Sequence, residues 1–112
     1  MANYAMGDLD LVFKALADPT RRTVVEQLGS GPATTKTLAA RHAMALPSFT
    51  QHLSVLERAG IVTSTKKGRV RTYRLQPERL IEAENWMARR RELWEKRLDQ
   101  LDEYLLSMKE QQ

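Results

Sequence analysis

The apolar positions of this chain fall first into helical spacings. Leu9, Val12, Phe13 and Leu16 recur at i, i+3, i+4 and i+7, which is one face of a helix. Asp18-Pro19 then has the form of an N-cap followed by proline at the first helical position, so a second helix begins at a sharp corner. It runs through Val24, Val25 and Leu28 and stops at Gly29 and Gly31. A short third helix follows, with Thr34 or Thr35 as its cap and Leu38 and Ala39 facing inward. After a turn over Ala43 to Ala45, Phe49, Leu53 and Leu56 mark a fourth helix. Pro47 is tolerated only in a first turn, which sets the start near residue 46, and Gly60 ends it. Ala45 stands where a capping Ser or Thr is expected, so this helix starts weakly capped.

The period then changes. Ile61, Val62, Thr63 and Thr65 suit one strand, and Val70, Thr72, Tyr73 and Leu75 a second, with Lys67-Gly68 as the turn. Helical spacing returns from Pro77 to about Met108. Leu80, Met87, Trp94, Leu101 and Met108 lie seven apart, and Leu98 and Leu105 fill the alternate heptad position, which Glu84 and Arg91 occupy earlier. A helix of roughly 30 residues spans ~45 Å, longer than a monomer of 112 residues needs. The Gln111-Gln112 end is expected to fray. The expected architecture is mostly α with a small β-hairpin: about five helices plus a two-stranded wing, a winged helix-turn-helix in one domain over residues 1–112.

Composition narrows the class. No apolar run approaches the ~18 residues of a membrane span, and the N-terminus lacks the basic and apolar regions of a signal peptide. With no cysteine there is no disulfide, thiolate metal site or thiol nucleophile, and a cytoplasmic protein is the default. The formal net charge is +4, but it is unevenly placed. Residues 21–77 carry ten Lys/Arg against only Glu26 and Glu57, whereas the segments on either side are each net −2. A concentration of positive charge in mid-chain points to a polyanionic partner.

That charge gives the fourth helix a meaning. A helix fits the DNA major groove, and side chains near its N-terminal end reach base edges. Ser48, Thr50, Gln51 and His52 are short, uncharged hydrogen-bonding groups at that end of helix 46–59. Gln pairs with adenine in bidentate fashion, and Ser or Thr serves several bases or a phosphate. The same four residues also suit an ordinary polar helix face; the neighbouring hairpin decides between the two. Wing 61–76 carries Lys66, Lys67, Arg69 and Arg71, and six positive charges run from Arg58 to Arg74 without an acid. This exceeds what protecting a sheet edge requires and suits phosphate contacts. Arg21 and Arg22 face either DNA or Glu26, four residues on from Arg22. Trp94 belongs to the heptad seam, and Trp86, beside it, is a candidate for lining a ligand pocket. His42 and His52 have no carboxylate at a suggestive spacing and no glycine-rich phosphate loop occurs, so neither an enzyme nor a cofactor is expected.

Three segments carry a resemblance over residues 8 to 106: "FKALADPTRRTVVEQL", "TLAARHAMALPSFTQHLSVLERAGIV" and "GRVRTYRL". They resemble the ArsR (arsenic-repressor-like) family of bacterial winged-helix transcription factors. The resemblance implies a homodimer built largely from the first and last helices, 8–17 and 78–108, that represses transcription from a palindromic operator. It places Leu9, Val12, Phe13, Trp94, Leu98, Leu101 and Leu105 at the dimer interface, Ser48, Thr50, Gln51 and His52 on the base-facing part of the recognition helix, and Lys66 to Arg71 on the wing. The metal-sensing patterns of the family are missing. The helix before the recognition helix reads "TTKTLAARH", without paired cysteines, and residues 78–112 contain no His. The chain is therefore similar to the non-metal branch, with double-stranded operator DNA and a second copy of itself as partners and a small-molecule effector left open. The alternative is a protein-interaction module that uses the heptad helix without binding DNA.

Overall fold

The computed structural model describes residues 7–110. Its elements are α1 (Asp8–Leu16), α2 (Pro19–Leu28), β1 (Ala33–Thr34), α3 (Thr35–Ala39), α4 (Leu46–Arg58), β2 (Val62–Lys67), β3 (Val70–Leu75) and α5 (Glu78–Glu110). The expected fraying of Gln111-Gln112 lies outside the described residues.

The first three helices each start on a local side-chain bond. The Asp10 carboxylate accepts from the Gly7 N–H at 3.2 Å, at the head of α1. Asp18 caps α2 through the Arg21 N–H at 3.1 Å, with Pro19 directly after it. Thr34 caps α3 by accepting from the Thr37 N–H at 3.2 Å. Ala45 precedes α4 with no side-chain cap, as its sequence position foretold. The α4 helix ends where Gly60 takes φ +77°; a Cβ there would meet Arg79 Cγ at 3.1 Å, so both backbone and space favour glycine.

One core holds these elements together. Phe49, Leu53 and Leu56 on α4 are fully buried against Val12 and Ala15 of α1, Val24 and Leu28 of α2, Leu38 of α3, Ile61 and Val62 at the start of the wing, and Tyr73 of β3. Burying a Phe or Leu side chain contributes about 1.5–3 kcal/mol, so these three outweigh any single polar contact on the surface.

Two features depart from the sequence reading. The wing is the outer part of a three-stranded antiparallel sheet in the order β1-β3-β2, because Ala33 and Thr34 pair with Tyr73 and Thr72. A two-residue strand has no periodicity to read. The hairpin turn also sits one residue later than expected, at Gly68-Arg69, with Lys67 and Val70 as the closing pair and Gly68 at φ +60°.

The α5 helix packs its first turns on α1 and then leaves the domain. Ala83 is buried and Phe13 meets Trp86 edge-on at 5.8 Å, whereas every side chain from Arg91 to Glu110 is exposed. The radius of gyration is 20.7 Å, against about 13 Å for a compact chain of this length. Leu53→Ala is expected to cost about 2–5 kcal/mol in urea unfolding, because it opens a cavity under α4. A loss below about 1 kcal/mol would show that α4 does not rest on this contact.

Candidate nucleic-acid interface

The burial of α4 decides which of its residues face outward. With Phe49, Leu53 and Leu56 inward, the exposed stripe along its outer side is Pro47, Ser48, Gln51, Ser54 and Arg58. Ser48 and Gln51 stand where the sequence placed them. Ser54 and Arg58 continue the same stripe one and two turns on; helical spacing from Gln51 was the signal that could have found them. The first turn of α4 holds no acid, so the positive end of its dipole is not neutralised.

Thr50 and Ser54 use their hydrogens on the helix itself. The Thr50 hydroxyl donates to the Pro47 carbonyl at 3.0 Å and the Ser54 hydroxyl to the Thr50 carbonyl at 3.1 Å. In this arrangement both oxygens offer only lone pairs outward, which suits an amino group on adenine or cytosine.

His52 lies differently from its neighbours. It flanks the buried face, and its Nδ1 is 3.0 Å from Arg21 Nη1. A guanidinium only donates, so Nδ1 accepts and the ring hydrogen sits on Nε2. One edge of the ring is thus committed to the protein, and only the Nε2 edge remains for DNA. Arg21 is itself held by α1: its Nε donates to the Ala15 carbonyl at 2.6 Å and its Nη2 to the Lys14 carbonyl at 3.1 Å. Arg22 Nη1 donates to the Leu16 carbonyl at 2.7 Å. Neither arginine pairs with Glu26 among the described residues. At the corner the two arginines donate to the carbonyls of the last turn of α1, of which Lys14 also accepts from the Ala17 N–H.

Asp18 completes this corner, with Oδ2 3.8 Å from His52 Nδ1. Burial alone would raise its carboxyl, but the Arg21 N–H, the neighbouring His52 ring and Arg21 guanidinium and the Thr20 N–H together hold it below its ordinary value. The second histidine is structural. His42 Nε2 donates to Gln27 Oε1 at 2.9 Å, and its ring lies 4.9 Å from that of Phe49.

The wing is basic on both strands. Lys66 stands directly opposite Arg71 across the hairpin, a like-charge pair that costs free energy unless an anion lies nearby. Arg71 is partly held: its Nη1 donates to Ser64 Oγ at 2.9 Å, and Ser64 donates to Glu57 Oε2 at 2.9 Å. This chain of bonds ties the wing to the end of α4 and was not legible in the sequence. Tyr73 lies behind it, its phenol pushed up by burial and then by the Glu57 charge. Lys66, Lys67 and Arg69 are exposed and make no ion pair among the described residues.

The comparisons with known proteins agree with this geometry. A family described as a helix-turn-helix domain matches residues 16–65. The transcriptional repressor SdpR of Bacillus subtilis (strain 168) is 36% identical over 76 residues, covering 68% of this chain and 84% of that protein. A solved ArsR family transcriptional regulator, RHA00566, superposes with a TM-score of 0.77 at 47% identity, over 85% of this chain and 97% of the other. The chain belongs to the ArsR family of transcriptional regulators. An ArsR-like transcriptional regulator from Rhodococcus sp. RHA1 superposes at 0.72 with 31% identity, over 84% and 89% of the two chains. Within this ArsR-family chain no helix of the described residues is long and apolar enough to cross a membrane.

One of the expected interface residues is buried within the chain itself. Val12 is 1% exposed and belongs to the chain's own core. Leu9 and Phe13 are half-buried at the border of that core, and Trp94, Leu98, Leu101 and Leu105 are exposed. Trp86 packs on Phe13 and carries the Arg90 guanidinium 4.5 Å above its ring. The hollow of about 730 Å³ beside it is lined by α5 alone.

Asp18→Asn keeps a capping oxygen but removes the charge. A carboxyl held below its ordinary value stabilises the fold above that range and loses the contribution as pH falls through the depressed value. Wild type is therefore expected to unfold at higher urea than Asp18→Asn at neutral pH, with the gap closing in acid. A gap that stays constant with pH would remove the charge from this account.

Proposed function

We propose that the chain is a homodimeric repressor that binds a twofold-symmetric operator in the cytoplasm, and is not an enzyme. The observation that carries this is the adjacency of two unlike surfaces. An uncharged hydrogen-bonding stripe at the N-terminal end of α4 adjoins a basic hairpin whose facing cations lack a counter-charge. Ser48, Thr50 and Gln51 read base edges in the major groove, and His52 offers its Nε2 hydrogen to a base or phosphate at the margin. Lys66, Lys67, Arg69 and Arg71 hold phosphates beside it. Single-copy α5 supports the dimer: Trp94, Leu98, Leu101 and Leu105 are 50–60% exposed on one heptad seam, more apolar surface than a monomer comfortably leaves in water. A second copy covers this seam and sets two recognition helices about one DNA turn apart.

The interaction-module reading uses the same α5 seam, but leaves the basic wing without a purpose. Two experiments separate them. Arg69→Ala weakens binding to all duplexes and lowers the salt slope by about two, one phosphate from each protomer, while Gln51→Ala flattens the sequence preference among randomised duplexes. An unchanged preference profile in Gln51→Ala would remove that residue from base reading, and salt-independent binding by wild type would favour the interaction module. Leu101→Asp is expected to sediment as a monomer and to lose DNA binding with the dimer; a stable dimer would place the interface elsewhere.

A further inference from the structure

Between the wing and the helix-turn-helix lies an open groove of about 760 Å³, within the ~300–1,000 Å³ usual for small-molecule sites. Its apolar wall is formed by Ala39 of α3, Leu46 at the first position of α4 and Val70 at the first position of β3. Leu46 and Val70 are 56% and 51% exposed, two branched apolar side chains on a face otherwise made for charge. Lys36, Arg69 and Arg71 stand around it, and no acid lines it. Phosphate binding accounts for the cations and gives no reason for the hydrocarbon.

We propose that this groove binds an alkyl carboxylate, whose chain lies on Leu46 and Val70 and whose head group is taken by Arg69 and Lys36. Charge complementarity selects the anion and the exposed aliphatic pair selects the tail. An uncharged chain would leave the cations unused, and a small anion would leave the apolar wall wet. Arg71 has guanidinium hydrogens left after its bond to Ser64 and can assist. Because Arg69 and the first turn of α4 belong to both surfaces, an occupied groove excludes DNA. The site stands on its own geometry, and only this exclusion rests on the DNA-binding reading above.

The test uses the full chain and decanoate below its micelle-forming concentration. Calorimetry without DNA is expected to show one saturable site per chain with a Kd below about 1 mM. Leu46→Asn and Val70→Asn, both at half-exposed positions, are each expected to weaken it about tenfold, as is Arg69→Gln, with decanol and acetate binding at least tenfold more weakly. Circular dichroism melting shows whether each variant is folded, and either asparagine variant suffices. No saturable uptake overturns the site. Uptake unchanged in both asparagine variants but abolished by Leu98→Asp assigns the fatty chain to α5 and overturns it equally. In the second arm, decanoate is expected to release a labelled duplex from wild type and not from folded Val70→Asn. Binding without release overturns the exclusion. Decanoate binding by a chain that takes up no duplex at any salt concentration keeps the groove and removes the DNA reading.

Discussion

The exposed stripe of α4 depends on the sealing of its opposite face. Phe49, Leu53 and Leu56 reach into a core supplied by α1, α2, α3 and the strands, and each is fully buried. A helix whose own start is uncapped cannot hold its direction by local bonds. The apolar contacts therefore settle where the axis lies and, through 3.6-residue geometry, which side chains are left outward. Gln51 and Ser48 are available to a ligand because Leu53 and Phe49 are not.

Polar contacts then refine what the core sets. A hydrogen bond typically contributes about 1 kcal/mol net, less than one buried leucine, so Arg21 and Ser64 matter for position more than for stability. Arg21 joins the end of α1 to His52 on α4. Ser64 joins Glu57 at the end of α4 to Arg71 in the wing. The first link meets α4 at its middle and the second near its C-terminal end. Together they couple α1 to α4, and α4 to the wing. Since α1 also packs on α5 through Phe13 and Trp86, a partner copy on α5 would be felt at α4 through side chains already in contact.

Much of this was legible because it rests on short-range patterns. Asp18-Pro19, the Pro47 start, the apolar triad of α4 and the glycine stops all act within a turn or two, and the structure keeps each of them. What escaped depends on distant partners. Arg21 and His52 are 31 residues apart, so nothing local says that the histidine edge is taken. Arg22 read as a partner for Glu26, but a helix end with free carbonyls competes better than an exposed carboxylate. Val12 shares a spacing with Leu9 and Phe13, and the pattern alone cannot say which of three neighbours faces the core and which the border. β1 is too short to have a pattern at all.

The wing shows why charge has to be weighed with geometry. Lys66 and Arg71 face each other across two strands, and their repulsion destabilises the hairpin in the free protein. The strands hold nevertheless, because β3 is flanked on its other side by β1 and anchored by buried Tyr73. Glu57 reaches the wing only through the Ser64 hydroxyl, so it orients Arg71 without cancelling the field at the tip. A direct carboxylate at Ser64 would relieve the repulsion and also quench the positive surface. The arrangement keeps the strain, and a polyanion lying along the hairpin would relieve it, so part of the affinity proposed for the wing would come from repulsion already present in the free protein.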